Sequence, residues 1–392
     1  MCAGTRGDSS EEDRMLMHHA PQSVRCAVRV AFALAGALLL FSIEVVTKTG
    51  QSWASTDGSP PRGLVVVRGV KIKPQDVPAL YHRALNNPFI SGVDCQIKWS
   101  DIEPVQGKPD WSKLDELFTA AESSEKWVQL SIYPGFFAPA WALEGVESEK
   151  FAVQYGPDAG TVLRLPMPWD RVYLNRWFTF LKQISNRYGK SPAFKVIAAA
   201  GPTSVSTEAT LPNKRGDLKK WQNHSYKPRK YISAWRKVFE VYAADFPDQY
   251  VSLPVYGGLN INDQGKIHPG AGMRMRPTLL HLAIGLLGRR FILENHDLHA
   301  GAKHQQTSTP WVISYAGRII TGLEMKCASE RGTCSEEMGA KGDPPLALRR
   351  SIDKGMRPNK AGHHVNYLKI YTPDVIADEM QPVLRYGASL FR

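Results

Sequence analysis

Short runs rich in β-branched and apolar residues recur along the chain, and longer segments with apolar residues at helical spacing lie between them. The short runs fall at 63–72, 90–99, 127–133, 194–200, 250–256, 290–294, 319–326 and 367–371 and read as strands. The intervening segments at 76–85, 111–124, 172–188, 231–246, 278–287, 310–318, 345–356 and 373–386 read as helices. In 111–124, Leu114, Leu117, Phe118 and Ala121 define one face, and Ser112 with Asp115 three residues on marks the helix start. Strand–helix alternation predicts βαβ units and a parallel sheet. Eight such units predict a closed (β/α)8 TIM barrel, a fold of ~250 residues before insertions. An open doubly wound sheet would want a glycine-rich phosphate turn after its first strand. Here Gly69 stands alone between Arg68 and Val70. Two long polar stretches, 136–170 and 204–230, read as loops.

The region before the barrel divides differently. Positions 30–43 are an apolar run preceded by Arg25 and Arg29. A run of ~14 residues suits a signal-peptide core better than a full span of ~20. The expected organisation is therefore a cytoplasmic start with a signal peptide or signal anchor over 1–50, a Ser/Gly/Pro-rich linker over 51–62, and the barrel over 63–392. This implies an exported protein: secreted, periplasmic or membrane-anchored, with the barrel outside the cytoplasm and membrane contact only through the N-terminal segment.

At 43% hydrophobic and 22% charged residues the composition is that of a globular protein. The formal net charge of +12 suits an anionic partner, but the basic residues are spread along the chain. Their one local cluster, 214–230, lies in an expected loop, so nucleic-acid binding is not expected. Cys327 and Cys334 flank a short polar loop and suit a disulfide in an exported protein. They suit no metal site, because no second Cys or His pair lies at ligand spacing.

The seventh strand, Ile-Ile-Thr-Gly-Leu-Glu-Met-Lys, ends on the carboxylate of Glu324. Burying a charge costs several kcal/mol unless it is paired, so a purely structural strand has little reason to carry it there. In a parallel αβ barrel the C-terminal ends of the strands line the active site. Those ends supply Trp99, Tyr133, Tyr256, Glu294, His296, Glu324, Lys326 and Tyr371, and the loop after strand four adds Glu208. Two carboxylates across a barrel mouth with aromatics between them suit glycosidic bond cleavage: one protonates the leaving oxygen, the other attacks or activates water. Trp99 has a second reading as mouth packing, Glu294 as a group supporting the site, and Glu103 as a structural cap or ion-pair partner.

The stretch Trp99-Ser-Asp-Ile-Glu-Pro-Val-Gln-Gly-Lys-Pro-Asp-Trp-Ser-Lys-Leu-Asp resembles the strand-two region of retaining (β/α)8 glycoside hydrolases of the cellulase and β-galactosidase superfamily. The resemblance implies an acid/base glutamate after strand four and a nucleophilic glutamate ending strand seven, the places of Glu208 and Glu324. It implies a poly- or oligosaccharide substrate, double displacement, and neither metal nor organic cofactor. The sequence departs from the superfamily at strand four, which ends in Ala-Gly-Pro-Thr where Asn-Glu is usual. That departure keeps two alternatives open: a catalytically silent carbohydrate-binding barrel at the cell surface, and a transglycosylase with the same residues.

Overall fold

A computed structural model describes residues 58–67, 82–156, 158–301, 308–330 and 333–392. The expected export segment, most of the linker, the far end of the first strand and most of the helix at 76–85 lie outside the described residues. Among the described residues no helix is long and apolar enough to cross a membrane.

The strands are β1 (Gly63–Val67), β2 (Ile90–Lys98), β3 (Trp127–Tyr133), β4 (Ser148–Ala152), β5 (Val162–Pro166), β6 (Phe194–Ala198), β7 (Tyr250–Pro254), β8 (Phe291–Leu298), β9 (Ile320–Met325) and β10 (Tyr367–Tyr371). Eight of them close a barrel in the order β1-β10-β9-β8-β7-β6-β3-β2, all pairs parallel. This is the expected TIM barrel, with helices between the strands.

The expected closing helix 373–386 is split into Thr372–Ile376 and Gln381–Ser389, the helix expected at 278–287 begins at Ala271, and three further differences bear on the site. The loop between β3 and β6 contains an antiparallel hairpin, β4 with β5. The loop between β6 and β7 contains a helix at Arg215–Asn223. The sixth barrel strand does not stop at Glu294 but runs on to Leu298, because Leu298 pairs with Met325 beyond a register shift. Glu294 is therefore inside the barrel wall, one pleat below the mouth.

Side chains alternate across a strand, so every second residue points into the barrel. The interior is layered accordingly. At the bottom, Val65, Val196, Ile292 and Tyr367 form a small cluster, with Trp127, Tyr250 and Ile320 against it. Gly92 and Gly322 make room for its large rings: a Cβ at Gly92 would lie 2.4 Å from the Trp127 indole, and one at Gly322 would lie 2.3 Å from the Tyr367 ring. Above this plug the lining turns polar, with Asp94, Gln129, Ser131, Ser252, Glu294 and Lys369 all buried. The main hydrophobic core lies outside the strands, between them and the helices, and includes Trp99, Trp177, Phe180 and Trp235.

Candidate active site

The buried polar layer is an ion cluster. Lys369 Nζ lies 2.9 Å from Asp94, 3.0 Å from Glu294 and 3.8 Å from Glu324. Ser131 donates to Asp94 at 2.6 Å, Gln129 donates to Glu294 at 3.2 Å, and Tyr367 donates to the same Glu294 oxygen. Burial alone would push the Lys369 ammonium down; Asp94, Glu294 and Glu324 lift it above the ordinary lysine value. Burial likewise opposes ionisation of Glu294, but Lys369 and His296 hold its carboxyl far below the usual range. An isolated buried ion costs several kcal/mol, and pairing within this cluster offsets that cost.

Glu324 stands directly above. Tyr371 donates to Oε1 at 2.9 Å, Gln96 donates to Oε2 at 3.4 Å, and the Glu324 side chain is only 4% exposed. Burial pushes this carboxyl up, while His296 and Lys369 pull against the shift. The Tyr133 phenol is also raised, by burial and then by the Glu324 charge.

Glu208 comes from a loop. Strand β6 is followed by a tight path in which Tyr173 receives the Gly135 N–H and donates to the Gly201 carbonyl. Ala209 N–H then ties the loop to Pro254 at the end of β7. The Glu208 carboxylate accepts from Tyr155 at 2.7 Å, and the same hydroxyl lies 2.9 Å from Thr210 Oγ1. Tyr155 sits between β4 and β5, so the unforeseen hairpin region supplies the group that holds Glu208.

His296 joins the two sides. Its Nδ1 lies 3.5 Å from Glu208, and its Nε2 lies 2.9 Å from Glu294 and 3.7 Å from Glu324. Burial opposes a charge on the ring, but Glu324 and the hydrogen bonds to Glu208 and Glu294 raise it to about 10, so it is an imidazolium at neutral pH. Tyr256 receives the His296 N–H at 2.9 Å and the Asn295 amide at 3.1 Å, at the point where the pairing of the strand shifts register.

The structure thus brings Glu208, Glu324, His296, Tyr133, Tyr256 and Tyr371 to one place, sets Glu294 beneath them as a supporting group, and sends Trp99 and Lys326 elsewhere. Trp99 is 0% exposed, packed among Trp141, Trp177 and Phe180, and donates to Glu103. It offers no face to a ligand, and it is the first residue of a helical turn that follows β2. Glu294 is buried beneath His296, since its strand continues past it. Lys326 turns outward to Glu337 at 3.1 Å. Glu103 is the structural cap, accepting also from Gly107 N–H. Cys327 and Cys334 are joined as a disulfide, and the loop they close is tied down by Asp374, which accepts from Ser329 and Glu330 N–H. Among the described residues no group of three or more His, Cys, Asp or Glu is arranged to hold a metal ion.

Sequence reading missed Asp94, Gln96, Lys369 and Tyr155. The first three carried a signal: polar residues at every second position, in Asp94-Cys-Gln96-Ile-Lys98 and Tyr367-Leu-Lys369-Ile-Tyr371, mark the inward stripe of a barrel strand. Tyr155 carried none, because its role depends on a hairpin folding over a distant loop.

No family model and no curated protein matches this chain. Solved structures do match in fold. The catalytic domain of β-amylase from Paenibacillus polymyxa superposes with a TM-score of 0.54 at 9% identity, over 84% of this chain and 98% of that one. A β-galactosidase from the Antarctic haloarchaeon Halorubrum lacusprofundi superposes with a TM-score of 0.50 at 10% identity, over 83% of this chain and 57% of that one. At such identities the likeness establishes the barrel fold.

Proposed function

We propose that this protein is a glycoside hydrolase that cleaves O-glycosidic bonds of a poly- or oligosaccharide by retaining double displacement. One observation carries the reading: carboxylates from opposite walls of the barrel mouth, Glu324 on β9 and Glu208 beyond β6, meet at the two nitrogens of one imidazole. The likeness in fold to structures described as a β-amylase and a β-galactosidase points the same way.

In the first step a Glu324 oxygen bonds to the anomeric carbon as the glycosidic C–O bond breaks, and Glu208 gives its proton to the departing oxygen. In the second, Glu208 takes a proton from water, the water oxygen bonds to the anomeric carbon, and the bond to Glu324 breaks. Glu324 must be ionised to attack. Lys369, His296 and the Tyr371 hydroxyl favour that form against the effect of burial. Activity then fails as pH falls through the raised Glu324 value, so the acid limb of the rate profile lies above the ordinary glutamate value of 4.5. Tyr133, Tyr256 and Tyr371 present rings and hydroxyls to the sugar. The scheme needs neither metal nor organic cofactor. It operates outside the cytoplasm, in keeping with the apolar run at 30–43 and the Cys327–Cys334 disulfide.

The test is hydrolysis of a panel of aryl glycosides and polysaccharides, with the anomeric configuration of the first product followed by NMR. Turnover with retention, abolished in Glu324→Gln, supports the proposal. Turnover with inversion overturns the mechanism and leaves the glycosidase. Sugar binding without turnover on any substrate assigns the molecule to the silent carbohydrate-binding class instead.

A further inference from the structure

The face of the barrel opposite the mouth is built from the segments that lead into the strands, and its charge is unevenly divided. The segments entering β3 and β7 carry both signs: Glu122 and Glu125 with Lys126, and Asp245 and Asp248, which pair with Lys182 and Lys190. The segments entering β1, β8, β9 and β10 are different. Residues 58–62, 288–290, 314–319 and 356–366 contain no Asp or Glu at all. They contain Arg62, Arg289, Arg318, Arg357 and Lys360, all exposed. None of these five makes an ion pair among the described residues. The nearest acid in sequence, Asp353, is engaged by Arg349 and Tyr386. The five cations border adjoining hollows that share His363 and are also lined by Gly58 and Pro60, so they form one sector at the point where the chain enters the barrel.

From this we infer that the basic sector is a docking surface for the anionic lipid headgroups of a membrane. Unpaired Arg and Lys side chains on one face complement lipid phosphates and carboxylates, each contributing roughly a fivefold gain in partitioning near the surface. A membrane is the partner favoured over a soluble polyanion because of connectivity. The chain reaches this sector through Gly58–Arg62, closely preceded by the apolar run at 30–43. A chain held in a bilayer by that run has its basic sector as the first part of the barrel beyond the linker. The mouth, at the other ends of the same strands, then opens away from the lipid.

The experiment is flotation of the full-length protein with vesicles of phosphatidylcholine alone, or with about one part in three phosphatidylserine. Anionic lipid is expected to raise partitioning at least about tenfold at physiological salt, an increment lost near ~1 M salt. The variant R289Q/R318Q/R357Q/K360Q is expected to lose the increment. A control with four exposed cations removed elsewhere, R215Q/K219Q/R229Q/K237Q, keeps it. An equal response to both lipids, or equal loss in the control, overturns the inference. Should the quadruple variant misfold, R357Q and K360Q singly each lower the increment about fivefold. Binding to phosphatidylcholine alone reports on the apolar run, so its absence would sink the anchor reading while leaving the anionic increment to be judged separately.

Discussion

The two carboxylates of the proposed site are held by opposite kinds of structure. Glu324 stands on a barrel strand, 4% exposed, over a buried lysine and within reach of groups from β2, β8 and β10. Glu208 stands on a loop ten residues past the last residue of β6, 13% exposed, held by a tyrosine that is itself 38% exposed. The side proposed to carry the nucleophile is a fixed feature of the barrel. The side proposed to carry the acid/base is an assembly of two loops, anchored through Ala209 to Pro254 and through Tyr155 to the hairpin region. The contrast suits the chemistry: a nucleophile needs a set position and charge, whereas an acid/base must exchange protons with water and benefits from partial exposure.

On that contrast, damage to the strand side is expected to cost more than damage to the loop side. Glu324→Gln is expected to lower kcat by on the order of 10⁵-fold, since no covalent intermediate can form. Glu208→Gln is expected to cost only ~10²–10⁴-fold on an ordinary substrate. Its loss should be partly restored by azide, read as a glycosyl azide product of retained configuration. Equal losses without azide rescue would erase the distinction. Lys369→Met removes the cation beneath Glu324 and leaves Asp94 and Glu294 buried without it, so unfolding in denaturant should show a loss of about 3–5 kcal/mol. It should also shift the acid limb of activity upward, because one of the charges favouring ionised Glu324 is gone.

His296 bridges the two regions and gives a pH signature. Its folded value is raised from 6.5 to about 10, so its stabilising contribution is complete below about pH 6.5 and is lost as pH rises through about 10. Wild-type stability should therefore fall by on the order of a few kcal/mol across that window, and His296→Gln should flatten the decline. The smallest effect belongs to the loop side. Tyr155→Phe removes one hydroxyl from Glu208 and should cost about tenfold in kcat with no measurable change in thermal midpoint. A large stability loss would show that the hairpin region braces the barrel and not the carboxylate alone.

The same contrast explains what the sequence disclosed. Glu324, Tyr133 and Tyr371 were legible because a strand with a buried face has a fixed period, and its end is a fixed place. Glu294 matches its second reading as a supporting group, but it lies one pleat lower than a strand end would put it, because the strand continues past a register shift to Leu298. Trp99 follows its second reading, packing, because Asp94, Gln96 and Lys98 hold the inward stripe of β2 and the next position faces the helix layer. The Tyr155–Glu208 contact was illegible, because residues 53 apart meet only after two loops fold over one another. Charge partners such as Lys369 with Asp94 join opposite ends of the chain, and no local pattern announces which lysine faces which acid.

The ring closure of β1 against β10 carries a further consequence. Asp94, from the second strand, finds its lysine on the last, so the charge balance beneath the mouth is incomplete until the final strand is laid in place. A chain emerging from the ribosome would hold Asp94 without its cation through most of synthesis, and Glu294 without the same cation over a shorter later stretch. Truncation before Lys369 should therefore yield no smaller closed barrel, only one open along one seam with its acids facing water.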